Sequence, residues 1–292
     1  MGDKKMADPD KNFPTALSAP TLLAAHGLRP KKSLGQNFLA DPSTARMLAR
    51  RMSLSPEDQV VEIGAGTGAL TFPLAERAGR VFAVETDRRL LPLLEDQARN
   101  WGPGNVTVMH GDFLKMSLAD FPGDSPLVVA GNLPYHISSQ VLVKLVRERG
   151  RVKKAALMFQ KEMAARILAG PGGRDYGRIS VLAAYVCSVR SLATLGPGHF
   201  FPPPKVDSVV LLFTFDRPGF SEPGEEERFF KTVGAAFSTR RKTLRNALAM
   251  GGAVPDAAAA ERALAAAGID PARRAETLDL EEFKRLSLCL GA

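Results

Sequence analysis

From Gln59 onward, short apolar runs alternate with stretches of helical periodicity. Residues 60–63, 81–84, 106–110, 127–130, 155–159 and 180–189 are almost continuously apolar or β-branched and read as strands. Between them, residues 70–78, 89–100, 138–149 and 161–169 carry apolar positions at helical spacing. Strands without an in/out alternation, interleaved with helices, are those of a parallel sheet covered on both faces, so the fold class is α/β. A further β-prone run at 206–215 is expected to end the sheet in an antiparallel pair.

The pattern changes at both ends of this region. Asp41 followed by Pro42 is an N-cap with Pro at the first helical position, which predicts a helix over 42–52. Residues 217–224 are rich in Pro and Gly and read as a linker. Beyond them the periodicity is helical at 225–237, 242–250, 256–267, 271–275 and 280–288, and Asp279 with Glu282 forms a capping box for the last. Residues 1–30 read as a leader, surface-bound or mobile, with one short helix at 22–26. The expected organisation is therefore a leader (1–30), an α/β domain (31–217) and a small all-helical domain (225–292).

The 292 residues are 45% hydrophobic and 24% charged, which excludes wholesale disorder. Lys and Arg (39) exceed Asp and Glu (31) for a net charge of +8, with a pI near 9.7, a balance suited to an anionic polymer. The two cysteines, Cys187 and Cys289, have no metal-ligand spacing, so neither a metal site nor a disulfide framework is expected. No run reaches the ~20 apolar residues of a membrane span, and the N-terminus is a poor signal peptide. The expectation is a cytoplasmic protein without a membrane partner.

Glu62-Ile63-Gly64-Ala65-Gly66-Thr67-Gly68 falls where the first strand turns into a helix. Alternate glycines bring backbone N–H groups against a ligand at the carboxyl edge of the sheet. Glu85 ends the second strand, where a carboxylate accepts both hydroxyls of a ribose. A dinucleotide and S-adenosylmethionine both satisfy this much, and Ala69 even fits the dinucleotide spacing. Glu62, an acidic residue that no phosphate site needs, and Asp112, which closes the third strand where an adenine amine would sit, favour S-adenosylmethionine. The bland alternative makes Glu62 and Asp112 loop or helix-cap carboxylates.

After the fourth strand stands Gly131-Asn132-Leu133-Pro134-Tyr135. The exocyclic nitrogen of adenine is a poor nucleophile because its lone pair is delocalised into the ring. The Asn132 oxygen and the Leu133 carbonyl, by accepting its two hydrogens, would localise that lone pair. Pro134 adds no competing N–H, and Tyr135 can stack on a base taken out of its helix. A tight Asn-Pro turn with a packed Tyr is the structural alternative.

With these blocks, and with residues 35–39 (Gly-Gln-Asn-Phe-Leu), 175–181 (Asp-Tyr-Gly-Arg-Ile-Ser-Val) and 200–208 (Phe-Phe-Pro-Pro-Pro-Lys-Val-Asp-Ser), the chain from Lys31 onward resembles the bacterial KsgA-type ribosomal RNA small-subunit adenine N6,N6-dimethyltransferases. The resemblance implies a Rossmann-like S-adenosylmethionine-dependent methyltransferase sheet with a C-terminal helical domain. It also implies dimethylation of two adjacent adenines in the 3′-terminal hairpin loop of 16S rRNA, in an assembly intermediate of the small subunit, by a monomer. It assigns Asn37, Leu39, Gly64, Gly66, Glu85, Asp112 and Asn132 to the cofactor. Asn132, Leu133, Pro134, Tyr135 and Phe200 fall to the target base, with Phe201 adjoining Phe200 so that the choice between them stays open. Arg240, Arg241, Lys242 and Arg245, on the face of a helix, are the RNA-binding expectation; Arg147, Arg149, Arg151, Lys153 and Lys154 form a second basic cluster. Rival readings are a resistance-type large-subunit rRNA adenine methyltransferase, a nicotinamide-dependent oxidoreductase and a non-catalytic assembly factor.

Overall fold

A computed structural model describes residues 17–100 and 103–290. In chain order the elements begin with α1 (Ala19–Ala25), β1 (Phe38–Leu39), α2 (Pro42–Arg51), β2 (Gln59–Ile63), α3 (Thr71–Ala75), β3 (Arg80–Glu85), α4 (Leu91–Asn100), β4 (Val106–His110) and β5 (Leu127–Gly131). They continue with α5 (Tyr135–Arg147), β6 (Val152–Gln160), α6 (Lys161–Leu168), α7 (Arg178–Val186), β7 (Ser188–Leu195), β8 (Phe200–Phe201) and β9 (Ser208–Thr214). The helices α8 (Pro223–Ala236), α9 (Leu244–Met250), α10 (Ala257–Ala266) and α11 (Leu280–Cys289) complete the chain. Contacts divide it into two compact units, one running to Pro134 together with Leu192–Asp207, the other formed by Tyr135–Ser191 and the chain from Ser208. This division cuts elsewhere than the expected 31–217 and 225–292 domains.

In the first unit, four parallel strands lie in the order β4-β3-β2-β5. Val60, Val61, Val81, Ala83, Val128 and Val129 are fully buried, as continuous apolar strands of a covered parallel sheet must be. Gly131 ends β5 in a space only glycine fits, because a Cβ there would stand 2.9 Å from the Ile63 carbonyl oxygen. That close approach sets where Asn132 leaves the sheet. The expected cap is present on α2: Asp41 accepts from the Ser43 N–H at 2.9 Å, with Pro42 in the first turn.

The leader differs from expectation. The part before Leu17 lies outside the described residues, but α1 begins three residues earlier than predicted and is packed, with Ala19 and Leu23 clustered on Phe38 and Leu90.

In the second unit, β9 pairs antiparallel with β6, as the run at 206–215 predicts, and lies between β6 and β7. Helix α5 packs on α7 and β6, and α8 on α7, α9 and α11. The sequence expects a strand at 180–189; the structure has helix α7 there, with strand β7 beginning only at Ser188. Ser180 starts the helix by accepting the Gly177 N–H at 3.0 Å, and Val181, Leu182, Ala183, Tyr185 and Val186 are all buried. A helix covered all round has no polar stripe, so its apolar run imitates a buried strand. The helix expected at 271–275 is also absent: a turn is followed by a single 3₁₀ turn at Ala275–Thr277. There the Arg273 carbonyl accepts the first N–H of α9, from Leu244, at 2.7 Å and is lost to any helix of its own. The capping box at Asp279 and Glu282 is present as predicted.

Candidate active site

The glycine loop joins β2 to α3 in the first unit. Gly64, Gly66 and Gly68 all hold left-handed backbone, with φ of 73°, 61° and 81°. A side chain added at Gly64 would meet nothing within 4 Å, so the loop presents backbone to open space, as a cofactor cradle requires. At Gly66 an added Cβ would strike the Phe38 ring at 2.9 Å, so the segment before α2 lies directly on the loop. The Gly64 N–H is tied to the Val84 carbonyl at 2.8 Å, fixing the loop to the end of β3.

Two carboxylates stand behind this loop. Glu85 is buried; its Oε2 accepts the Gly66 N–H at 2.8 Å and its Oε1 the Asp87 N–H at 2.7 Å. Burial raises its pKa, and these backbone donors oppose the rise. Glu62 is buried as well and accepts the Thr71 hydroxyl at 2.5 Å. Burial pushes the Glu62 pKa up to about 8; the Thr71 hydrogen bond works against the rise, and the Glu85 charge adds to it. Glu62 is thus an anchor for the start of α3 rather than a loose loop residue. Asp112 caps the short 3₁₀ turn Phe113–Lys115, its Oδ1 accepting the Leu114 N–H at 3.1 Å, with Lys115 at 3.8 Å from Oδ2. It combines the cap role with a position beside Gly111, whose N–H reaches the Glu85 carbonyl at 3.0 Å.

The segment carrying Asn37 and Leu39 closes against the same loop. Strand β1 pairs antiparallel with β8, Leu39 opposite Phe200 and Phe38 opposite Phe201. Phe201 packs into the cluster around α1 and Phe38. Successive strand residues face opposite ways, so Phe200, itself buried, points to the other side of β8. Phe201 is partly buried against that cluster and Phe200 fully buried on the opposite side, so burial does not choose between them for the target base.

Asn132 extends from the end of β5 and donates its Nδ2 to the Asn37 carbonyl at 2.6 Å. That bond orients the amide, leaving Oδ1 as its acceptor side. Leu133 is buried and Pro134 half-buried. Tyr135 is the first residue of α5, in the second unit, where its hydroxyl shares a hydrogen bond of 2.8 Å with the fully buried Ser208; burial raises its pKa. Its ring is held by its own polar end, which suits a stacking platform. Among the described residues, no group of three His, Cys, Asp or Glu side chains could hold a metal ion.

A family model described as ribosomal RNA adenine dimethylase matches residues 27–288 of this chain. The chain belongs to that family. Ribosomal RNA small subunit methyltransferase A of Desulforapulum autotrophicum is 48% identical over 268 residues, covering 91% of this chain and 94% of that relative. The protein of the same description from Shouchella clausii is 40% identical over 284 residues, 95% of each chain. Among solved structures, a dimethyladenosine transferase from Plasmodium falciparum superposes with a TM-score of 0.72 at 27% identity, over 85% of this chain and 95% of that one. The 23S rRNA methyltransferase ErmE gives 0.65 at 26% identity, over 88% and 100%.

The chain is an enzyme with the expected Rossmann-like methyltransferase fold and C-terminal helices. No described helix is long and apolar enough to cross a membrane. The chain's basic residues are arranged differently from the sequence reading. Arg240, Arg241 and Lys242 lie on the loop between α8 and α9, not on a helix face, because α8 stops at Ala236 and α9 starts at Leu244. All three are exposed, and Arg240 reaches the Arg174 carbonyl at 3.2 Å. Arg245, on α9, is exposed and pairs with Glu261 at 3.3 Å. The other cluster is largely engaged within the second unit. Arg149 pairs with Glu226 at 2.6 Å, and Arg147 with Glu227 at 3.4 Å while lying over the Phe230 ring. Its first arginines therefore pair with acidic residues of α8.

Sequence reasoning overlooks Gln36 and Asp87 as site residues. Asp87 is buried beside Glu85, and its only signal in the sequence is its place two residues on.

Proposed function

We propose that the protein uses S-adenosylmethionine to dimethylate N6 of two adjacent adenines in the 3′-terminal hairpin loop of 16S rRNA. The substrate would be an assembly intermediate of the small subunit, and the enzyme a cytoplasmic monomer. The observation carrying this reading is the Asn132 amide, turned by the Asn37 carbonyl so that its oxygen is the side offered to a donor. Relatives named for small-subunit rRNA methylation, 40–48% identical over nine-tenths of the chain or more, support the choice of subunit.

When bound, S-adenosylmethionine supplies a methyl group on a sulfonium, already an excellent leaving group. The residues that would hold it are the backbone of Gly64 and Gly66, Glu85 toward the ribose hydroxyls, Asp112 toward the adenine amine, and Asn37, Leu39 and Asn132 at its edge. Toward the target base, Asn132 Oδ1 and the Leu133 carbonyl accept the two N6 hydrogens, which localises the nitrogen lone pair. Pro134 keeps that turn free of a competing N–H, and Tyr135 and Phe200 are the stacking aromatics. At each transfer one N6 hydrogen held by Asn132 Oδ1 or the Leu133 carbonyl would leave to water as a proton, balancing the methyl group the cofactor would supply. A second transfer gives the dimethyl product. Catalysis here is positioning and electrostatics. Arg240, Arg241, Lys242 and Arg245 would meet RNA phosphates from the helical domain.

The test is to map methylated adenines after incubating the protein and S-adenosylmethionine with precursor small subunits and, separately, precursor large subunits. Two adjacent dimethyladenines in the small-subunit hairpin are expected. Methylation confined to large-subunit RNA would favour the activity named for ErmE, and methylation of neither would leave an assembly factor.

A further inference from the structure

We infer that Gln36 and Asp87 form a latch that positions the segment 31–39 over the cofactor loop and sets how tightly cofactor is held; the inference rests on the cofactor reading above. Asp87 is 3% exposed, and its carboxylate gathers donors from two directions. From its own side, Arg89 donates Nη2 to Oδ2 at 2.6 Å and Nε to Oδ1 at 3.0 Å. From the segment 31–39, Gln36 Nε2 donates to Oδ2 at 3.1 Å, and the Lys31 ammonium lies 3.6 Å from Oδ1. The Arg89 guanidinium, with Gln36, holds the Asp87 carboxyl well below the usual carboxylate range. The backbone N–H of the same residue holds Glu85 Oε1, so the latch abuts the proposed ribose carboxylate directly.

Gln36 uses both ends of its amide: Nε2 on Asp87, and Oε1 accepting the Lys31 N–H at 2.7 Å. A carboxylate cannot donate and an aliphatic side chain can do neither, so the position requires an amide. The segment that Gln36 fastens bears on three parts of the site. Its Phe38 ring covers Gly66, its Asn37 carbonyl turns the Asn132 amide, and its Leu39 pairs with Phe200. Helix α1 braces the apolar side through Ala19 and Leu23 on Phe38, and the Gln36–Asp87 bond and the Lys31–Asp87 pair fasten the polar side to the end of β3. Gln36 and Asp87 are positioning residues: they act through the segment 31–39 and through Glu85.

The experiment titrates the full chain with S-adenosylhomocysteine by calorimetry between pH 5.5 and 8, with thermal midpoints measured alongside. Gln36→Ala should bind roughly tenfold more weakly at every pH, the equilibrium worth of one hydrogen bond to a charged acceptor. Gln36→Glu should be weaker still at pH 8, where a carboxylate would face Asp87, with Lys31 and Arg89 as the cations paired to that aspartate. Its affinity relative to the unaltered protein should recover toward pH 5.5, as the introduced carboxyl takes up a proton and can donate. A purely structural role would lower the midpoints without this recovery. Asp87→Asn, which keeps the backbone bond to Glu85, should also lose affinity while remaining folded. Affinity of Gln36→Ala within twofold of the unaltered protein, or a Gln36→Glu ratio flat with pH, overturns the latch alone. Failure of the unaltered protein to bind S-adenosylhomocysteine overturns the cofactor reading and the latch together.

Discussion

Replacing Asn132 with Ala removes one hydrogen bond that the structure shows and one acceptor that the chemistry needs, and the two losses differ in size. The visible bond, Nδ2 to the Asn37 carbonyl at 2.6 Å, is a neutral, half-buried contact. Its loss should cost about 0.5–1.5 kcal/mol of stability. Gly131 and the buried Leu133 still hold the turn, so the fold should survive. Cofactor affinity should fall only a few-fold, because the glycine loop and Glu85 are untouched. Methyl transfer should fall at least ~100-fold, or about 2.7 kcal/mol, the typical worth of a fixed polar group acting mainly in the transition state. Single-turnover rates at saturating precursor subunit separate the two effects, since a weakened ground-state complex is then no longer limiting. A folded Asn132→Ala protein that methylates at near the unaltered rate would refute the mechanism. A packed-turn role would show itself in the opposite pattern, lost stability with a normal rate in the folded fraction.

Glu85→Ala should weaken S-adenosylmethionine binding by roughly tenfold or more, since charge-assisted bonds to the ribose are lost and Gly66 and Asp87 lose their acceptor; calorimetry giving unchanged affinity would remove Glu85 from the site. Glu62 titrates at about 8 when folded against a reference value of 4.5, so between these pH values the folded state keeps a proton that the unfolded chain has released. Its contribution to stability is therefore full below about pH 4.5 and is lost as pH rises toward 8, by at most ~1.4 kcal/mol per pH unit. Urea midpoints of Glu62→Gln should fall less steeply over that window than those of the unaltered protein, with the remaining slope owed to Glu85; parallel profiles would contradict the buried, protonated carboxyl. Neutralising Arg241, Lys242 and Arg245 together should weaken subunit binding and lower the slope of log K against log salt by roughly 2, with Arg245 adding least because Glu261 already pairs it. An unchanged slope would make this a solvated surface.

Some features of this protein are written locally, and these are legible in the sequence by itself. The glycine loop, the Asp41–Pro42 helix start, the Asp279–Glu282 capping box and the strands of the first unit each depend on neighbours a few residues apart, where backbone preference and periodicity act directly. The turn at Asn132 is legible for the same reason: its residue types state what they can donate and accept. The nature of 180–189 is not, because a helix buried on every side and a buried strand show the same run of apolar residues, and only its neighbours in the second unit decide between them. The basic cluster reads as a helix face although the helices expected at 225–237 and 242–250 leave Arg240 and Arg241 between them, and α9 starts only at Leu244. Nor can the sequence orient the Asn132 amide, which depends on a carbonyl 95 positions away. The partners of Asp87 lie equally beyond any local signal, since Gln36 reaches it from 51 positions earlier in the chain. Such bonds form only after the strands and their flanking segments have closed on one another, so tertiary structure alone decides them.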